Sequence, residues 1–346
     1  MTPGIATPAT APVLPSQALV YDASRDANGP DMAAFPPKRD KASRCPELGT
    51  STVFGCLTTH AATSMIYEFF ARTDRGRVRN NNEDSVAFDR DAQIAVLADG
   101  MGGYNAGEVA SAMATTFIRT EMARWLAHAG QNAQSADVRK ALEICVENAN
   151  HAVLGASLSN PQYAGMGTTL VVGVFRGERL ILGHIGDSRC YRLRDGVLQQ
   201  ITRDHSWLQE QVDAGLMTPQ QAAVSTNGNL VTRALGVEPH VQMEVNEFQV
   251  APNDLFLLCS DGLTDMVPDA DVADMVRASL SLEEKTNLLV DTANAQGGRD
   301  NISVLLVQTA AAGGKKTRLH VPIDPGCMMP LNPTTIQHTR SGSCPE

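Results

Sequence analysis

The chain has 346 residues, a formal net charge of −10 and 43% hydrophobic residues, with aromatics at only 5%. That length and apolar content can build one large core or two small ones. The acidic balance and scarcity of rings exclude an electrostatic grip on nucleic acid or anionic lipid, and no run of 18 apolar residues offers a membrane span.

Residues 1–63 are rich in Pro, Ala, Thr and Ser and lack sustained periodicity, so they read as a disordered tail. The first 21 residues carry no Lys or Arg and are broken by prolines, which is not a secretion signal; a cytoplasmic location is expected. Seven cysteines form no C-x-x-C pair, and their odd number fits reduced, structural thiols. The folded part is expected over 64–308, followed by a second disordered tail over 309–346.

Within 64–308 the periodicity alternates between 2 and 3.6. Strands are predicted at 64–71, 85–88 and 93–98. A helix follows, with Asn105 as N-cap, Glu108 completing a capping box, and Val109, Met113, Phe117 and Thr120 on one face. A second helix over 135–154 places Val138, Leu142, Val146, Ala149 and Val153 on one face. Strands come next at 168–175, 179–185, 190–193 and 197–201, with Asp195-Gly196 as a hairpin turn. The remainder gives helices at 206–214, 218–224, 270–279 and 281–295 and strands at 241–248, 255–259 and 302–307. Strands outnumber helices and several are hairpin-linked. The fold class is therefore α+β, a central β-sandwich of two mostly antiparallel sheets flanked by α-helices.

The acids carry the functional signal. Asp99 ends IAVLAD, Asp187 ends LILGHIGD, and Asp261 ends LFLLCSD. Asp300 stands just before ISVLLV, and Glu83-Asp84 just before SVAF. One such acid is an ordinary turn former. Five strand ends gathered by one sandwich would crowd carboxylates that repel unless a hard divalent cation neutralises them. Histidines never fall at zinc spacing, so Mg²⁺ or Mn²⁺ is expected. Gly100-Met-Gly102-Gly-Tyr-Asn105 lacks the third glycine of a dinucleotide loop, and Walker, EF-hand and G-x-S-x-G patterns are missing. Arg79, four residues before Glu83, is a candidate to grip phosphate; its alternative is an ion pair with Glu83 or Asp84.

In order, the segments DRGRVRNNNEDS, LADGMGGYNAGEVAS, MGTTL, GHIGDSR, ITRDHS, VTRALG, LLCSDGLTDMV and GGRDNISVLLV resemble the metal-dependent protein phosphatases, the type 2C serine/threonine phosphatases, in their compact bacterial branch. The resemblance covers about residues 66 to 308. It implies two Mn²⁺ or Mg²⁺ ions, with a possible third. Asp99 would bridge the two ions, Gly100 would ligate through its carbonyl, and Asp261 and Asp300 would complete one side. Glu83 and Asp84 would hold metal-associated water, Asp187 would serve the third ion, and Arg79 would bind substrate phosphate. Thr168 and Asp265 match positions near the site.

The implied activity is hydrolysis of phosphoserine and phosphothreonine in proteins by metal-activated water, opposing a cognate serine/threonine kinase, in a monomer. Two departures stand out. Met101 occupies the position where many eukaryotic members have a proton-donating His, and 224–229 (VSTNGN) replaces a flap that in bacterial relatives often carries His and Arg. The alternatives are a phosphatase dedicated to a switch protein of the anti-sigma antagonist type, and a non-catalytic regulator that binds phosphoproteins.

Overall fold

Uninterrupted apolar runs such as IAVLA, LFLLC and ISVLLV are what strands covered on both faces look like, and the computed structural model puts them in that situation. It describes residues 65–103, 106–130, 133–222, 225 and 230–311. Residues 1–63 and 312–346 of the expected tails, Asn105, and 224 and 226–229 of the flap lie outside the described residues.

One sheet holds β1 (Met65–Asp74), β11 (Ile302–Ala311), β10 (Leu255–Cys259), β7 (Arg189–Arg194) and β8 (Val197–Gln200), in that order. The other runs β2 (Asp84–Asp89), β3 (Ile94–Met101), β5 (Leu170–Arg176), β6 (Arg179–Ile185) and β9 (Glu244–Gln249), with the two-residue β4 (Gly167–Thr168) paired to the end of β3. Every pairing among them is antiparallel. β11 continues to Ala311, past the expected boundary at 308, because it pairs residue for residue with β1 from Asp74↔Ile302 to Met65↔Ala311.

The period-2 rule divides each central strand between two cores. Ala95 and Leu97 of β3, Phe256 and Leu258 of β10, and Leu305 and Val307 of β11 meet between the sheets. Ile94 and Val96 instead face α1 (Ala106–Ala129) and α2 (Ser135–Ser159). On the other side Leu255, Leu257, Val304 and Leu306 face a helical layer that includes α5 (Asp261–Thr264), α6 (Asp269–Arg277) and α7 (Leu282–Ala295). α3 (Trp207–Asp213) and α4 (Pro219–Ala222) lie in the segment after β8.

The predicted face of the first helix needs correction. Thr120 is exposed and Val109, Met113 and Phe117 are only half-buried. The covered face is Ala110, Ala114, Ile118 and Met122, with Ser111 and Thr115 beside them. Small side chains let α1 lie close against β2: Ser111 Oγ donates to Glu83 O at 2.6 Å, and Ser85 Oγ and Thr115 Oγ1 share a hydrogen bond of 2.7 Å. The second helix buries the face expected of it. Among the described residues no helix is long and apolar enough to cross a membrane.

Candidate metal centre

Register alone brings the first two acids together. In the β2–β3 ladder Asp84 stands opposite Asp99, a like-charged cross-strand pair that destabilises a sheet unless it is neutralised. The strand end carrying Asp99 is fixed through its main chain. Asp99 N donates to Thr169 Oγ1 at 3.0 Å, while Asp99 O accepts from Thr168 Oγ1 and Thr169 N, both at 2.8 Å. Gly100 N donates to Glu83 O at 3.1 Å. A Cβ on Gly100 would overlap Gly107 O, and one on Gly107 would overlap Glu83 Oε2, so two glycines bring helix, strand and acid into contact.

From the other sheet, β10 and β11 deliver Asp261 and Asp300. Ser260 joins them to Asp84: its Oγ donates to Asp84 Oδ2 at 2.8 Å and accepts from Ser303 N at 3.0 Å. Asp300 Oδ1 accepts from Asn301 N, and Asp300 Oδ2 takes Arg79 Nη2 at 2.6 Å. Arg79 therefore pairs across 221 residues with Asp300, and not with Glu83 or Asp84 as a local pairing would give. Its side chain is still 54% exposed, so the guanidinium faces the opening.

Electrostatics confirm the convergence. Burial raises Asp99 and Asp261 well above the usual carboxylate range. Repulsion adds to this, from Asp84, Asp261, Asp187 and Asp300 on Asp99, and from Asp187, Asp265, Asp300 and Asp84 on Asp261. Burial pushes Asp84 up to about 6, and Asp187 likewise, with Asp204 repelling the latter. Glu83 is raised as well, by burial first, against the pull of Arg79. The structure thus gathers all the predicted acids at one end of the sandwich. His205 holds the turn before Asp187: its Nδ1 accepts from Gly186 N at 3.1 Å and its own N donates to Gly186 O at 2.9 Å.

The donor set fits divalent cations. Asp84 Oδ1 and Asp261 Oδ1 are buried without any hydrogen-bond partner, a costly arrangement for anionic oxygen. All-oxygen donors suit Mg²⁺ or Mn²⁺. Among the described residues, side-chain trios with ligand atoms within 4.8 Å of one another lie at Glu147/His151/His240 and His184/His205/Glu244.

A family model for protein phosphatase 2C matches residues 74–296. The chain belongs to the protein phosphatase 2C family. It is 37% identical over 240 residues to "Serine/threonine phosphatase stp" of Listeria innocua, covering 68% of this chain and 94% of that one. It is 39% identical over 249 residues to "Serine/threonine protein phosphatase PstP" of Mycobacterium tuberculosis, covering 71% of this chain and 46% of that longer protein. Among solved structures, the catalytic domain of PstP in complex with two manganese ions superposes with a TM-score of 0.63 at 37% identity, over 71% of this chain and all of that one. Stp1 of Staphylococcus aureus superposes with a TM-score of 0.65 at 28% identity, over 78% and 99%.

Within this phosphatase 2C fold, sequence reasoning missed the residues that hold the acids. Asn301, buried, donates Nδ2 to Arg75 O and Asn81 O at 2.9 Å and accepts Glu83 N on Oδ1 at 2.8 Å. That one amide fixes the 75–82 loop, and with it Arg79, against β11. The available signal was a polar residue beside an acid at the mouth of an apolar run, which also marks Ser260.

Proposed function

We propose that this chain is a bacterial-type serine/threonine protein phosphatase whose phosphoprotein substrates are hydrolysed at the acidic end of the sandwich. The observation that carries the reading is the pair of buried, unpartnered carboxylate oxygens on Asp84 and Asp261, inside a ring of mutually repelling acids. Asp99, Asp261, Asp300 and the carbonyl of Gly100 would hold two divalent cations, with Glu83 and Asp84 ordering water around them and Asp187 serving a third. When bound, the cations supply charge neutralisation and Lewis acidity toward water and the phosphoryl oxygens.

The chain's own residues do the rest. Arg79 reaches the phosphate from the rim, where its planar fork can hold two oxygens once it is shared with Asp300. Gly100 and Gly107 keep the strand-to-helix junction tight enough for the Asp99 carboxylate to stay fixed. Met101 cannot donate a proton, so the leaving serine or threonine oxygen takes its proton from water. Among the described residues no thiol is poised as a nucleophile: Cys145 and Cys259 are buried and pushed up to about 12, and burial raises Cys190 further still.

The same reading assigns a cognate serine/threonine kinase as the source of substrate, a cytoplasmic location and a monomeric enzyme. It assigns Mn²⁺ or Mg²⁺ as the ions on donor chemistry and on the manganese-bound relative. The test is phosphate release from a phosphothreonine peptide with Mn²⁺, Mg²⁺ or EDTA, for wild type and Asp261→Asn. Release that requires metal and collapses in the variant is expected. Folded protein that releases no phosphate with either metal would overturn the enzyme in favour of a phosphoprotein-binding regulator.

A further inference from the structure

Outside the set of acids, α2 and the segment before β9 bring Glu147, His151 and His240 together. Glu147 and His151 are four residues apart, so they project from one face of a 25-residue helix. His240 comes from a loop that the same helix holds in place. The buried Asn150 accepts Gly236 N on Oδ1 at 2.7 Å, and its Nδ2 donates to Glu238 O at 2.8 Å and Pro239 O at 3.3 Å. His240 Nδ1 lies 2.9 Å from Glu147 Oε1, and His151 Nε2 lies 3.6 Å from the same oxygen. Ligand atoms about 2.0–2.2 Å from a tetrahedral ion sit about 3.3–3.5 Å apart. The observed separations bracket that value.

We propose that Glu147, His151 and His240 form a surface site for a transition-metal ion of the Zn²⁺ class, separate from the carboxylate centre. Two imidazoles and one carboxylate favour a borderline ion over Mg²⁺, and solvent exposure leaves the fourth position to water. His151 Nε2 now meets Pro239 O at 3.1 Å. His240 Nδ1 likewise donates to Glu147 Oε1 at 2.9 Å. Loading replaces both hydrogen bonds, and each neutral ring then carries its proton on the nitrogen away from the ion, Nδ1 of His151 and Nε2 of His240.

The second trio, His184, His205 and Glu244, does not fit an ion. His205 Nδ1 already accepts Gly186 N, which uses the one lone pair of a neutral ring, and the Arg233 guanidinium lies 3.4 Å from its Nε2. His184 Nε2 is bonded to Arg203 O at 2.8 Å. His184 and His205 are also buried, whereas His151 and His240 lie at the surface, where their present hydrogen bonds can be exchanged. An ion there would tie α2 to the segment in which Leu235 exchanges two main-chain hydrogen bonds with Thr168, at 2.9 and 2.8 Å.

The experiment is a calorimetric Zn²⁺ titration of the full chain near neutral pH, in excess Mg²⁺ to keep the carboxylate centre filled. One zinc per chain is expected for wild type. The double variant His151→Ala/His240→Ala should weaken binding by more than about tenfold, the loss that outer-shell changes alone can cause. Zinc should raise the melting temperature of wild type and not of the variant. Both proteins should keep the same Mg²⁺-supported activity, which shows the variant is folded. Asp261→Asn should retain the zinc site. Equal zinc binding by wild type and the double variant, no zinc binding by wild type, or loss of the site in Asp261→Asn would each overturn the assignment.

Discussion

Replacing Asp84 with Asn should stabilise the metal-free protein while abolishing its activity. Burial raises Asp84 from its ordinary 3.8 to about 6 in the folded state, so the fold prefers the neutral carboxyl. Its contribution is intact below about pH 4 and is lost as pH rises through about 6. The gap, at about 1.4 kcal/mol per pH unit, amounts to about 3 kcal/mol above about pH 7. Asn keeps an oxygen for Ser260 Oγ and carries no charge. In EDTA, the stability difference between variant and wild type should therefore grow from near zero at about pH 4 to about 3 kcal/mol at about pH 8. For a domain of this size that is a melting-temperature gain of about 6–12 °C at the higher pH. His205, which burial lowers to about 4, works in the opposite direction between about pH 4 and 6.5, but it is common to both proteins and cancels. Urea unfolding in EDTA across this pH range is the assay. Curves for the two proteins that stay parallel with pH would refute the electrostatic account of the site.

Four further outcomes are expected. Arg79→Ala should lower kcat/KM for a phosphopeptide about 10- to 150-fold, the worth of one charge-assisted contact at about 1.5–3 kcal/mol, with Arg79→Lys recovering only part of it; steady-state kinetics decides. Gly107→Ala should destabilise the protein by about 1–3 kcal/mol because its Cβ meets Glu83 Oε2, reversing the usual helical preference for alanine. Gly155→Ala, with open space around its Cβ, should stabilise by about 0.5–1 kcal/mol, and chemical denaturation of the pair gives the sign of each. Asn301→Ala leaves Glu83 N and two loop carbonyls without their partner, so it should cost about 2–4 kcal/mol and raise KM as Arg79 loses its anchor; unchanged KM in folded protein would count against the clamp.

The strands were legible because burial on both faces leaves an unmistakable mark: 179–185 and 255–259 coincide with β6 and β10 to the residue. Acids at strand ends were legible for the related reason that a charge cannot continue such a run. Helix phase was harder. In α1 the expected face of Val109, Met113 and Phe117 is only half-buried, because the sheet takes the small Ala110 and Ala114 at closest approach, with Ile118 and Met122 beside them. The break between β4 and β5 at Thr169, and the single-turn α5 that starts at Asp261, are set by tertiary hydrogen bonds that no local period encodes. Asn301 was invisible for the same cause: its three partners lie more than 200 residues away.

The place of β11 in its sheet has a consequence for biosynthesis. The last strand of the described residues sits between β1, the first of them, and β10. Until it emerges from the ribosome, β1 has no hydrogen-bonded neighbour in its own sheet and one edge of β10 stays open, an arrangement prone to mispairing. Asp300 and Asn301 travel immediately ahead of that strand. A nascent chain therefore cannot assemble a complete acidic centre, or dephosphorylate anything, until synthesis of the domain is nearly finished.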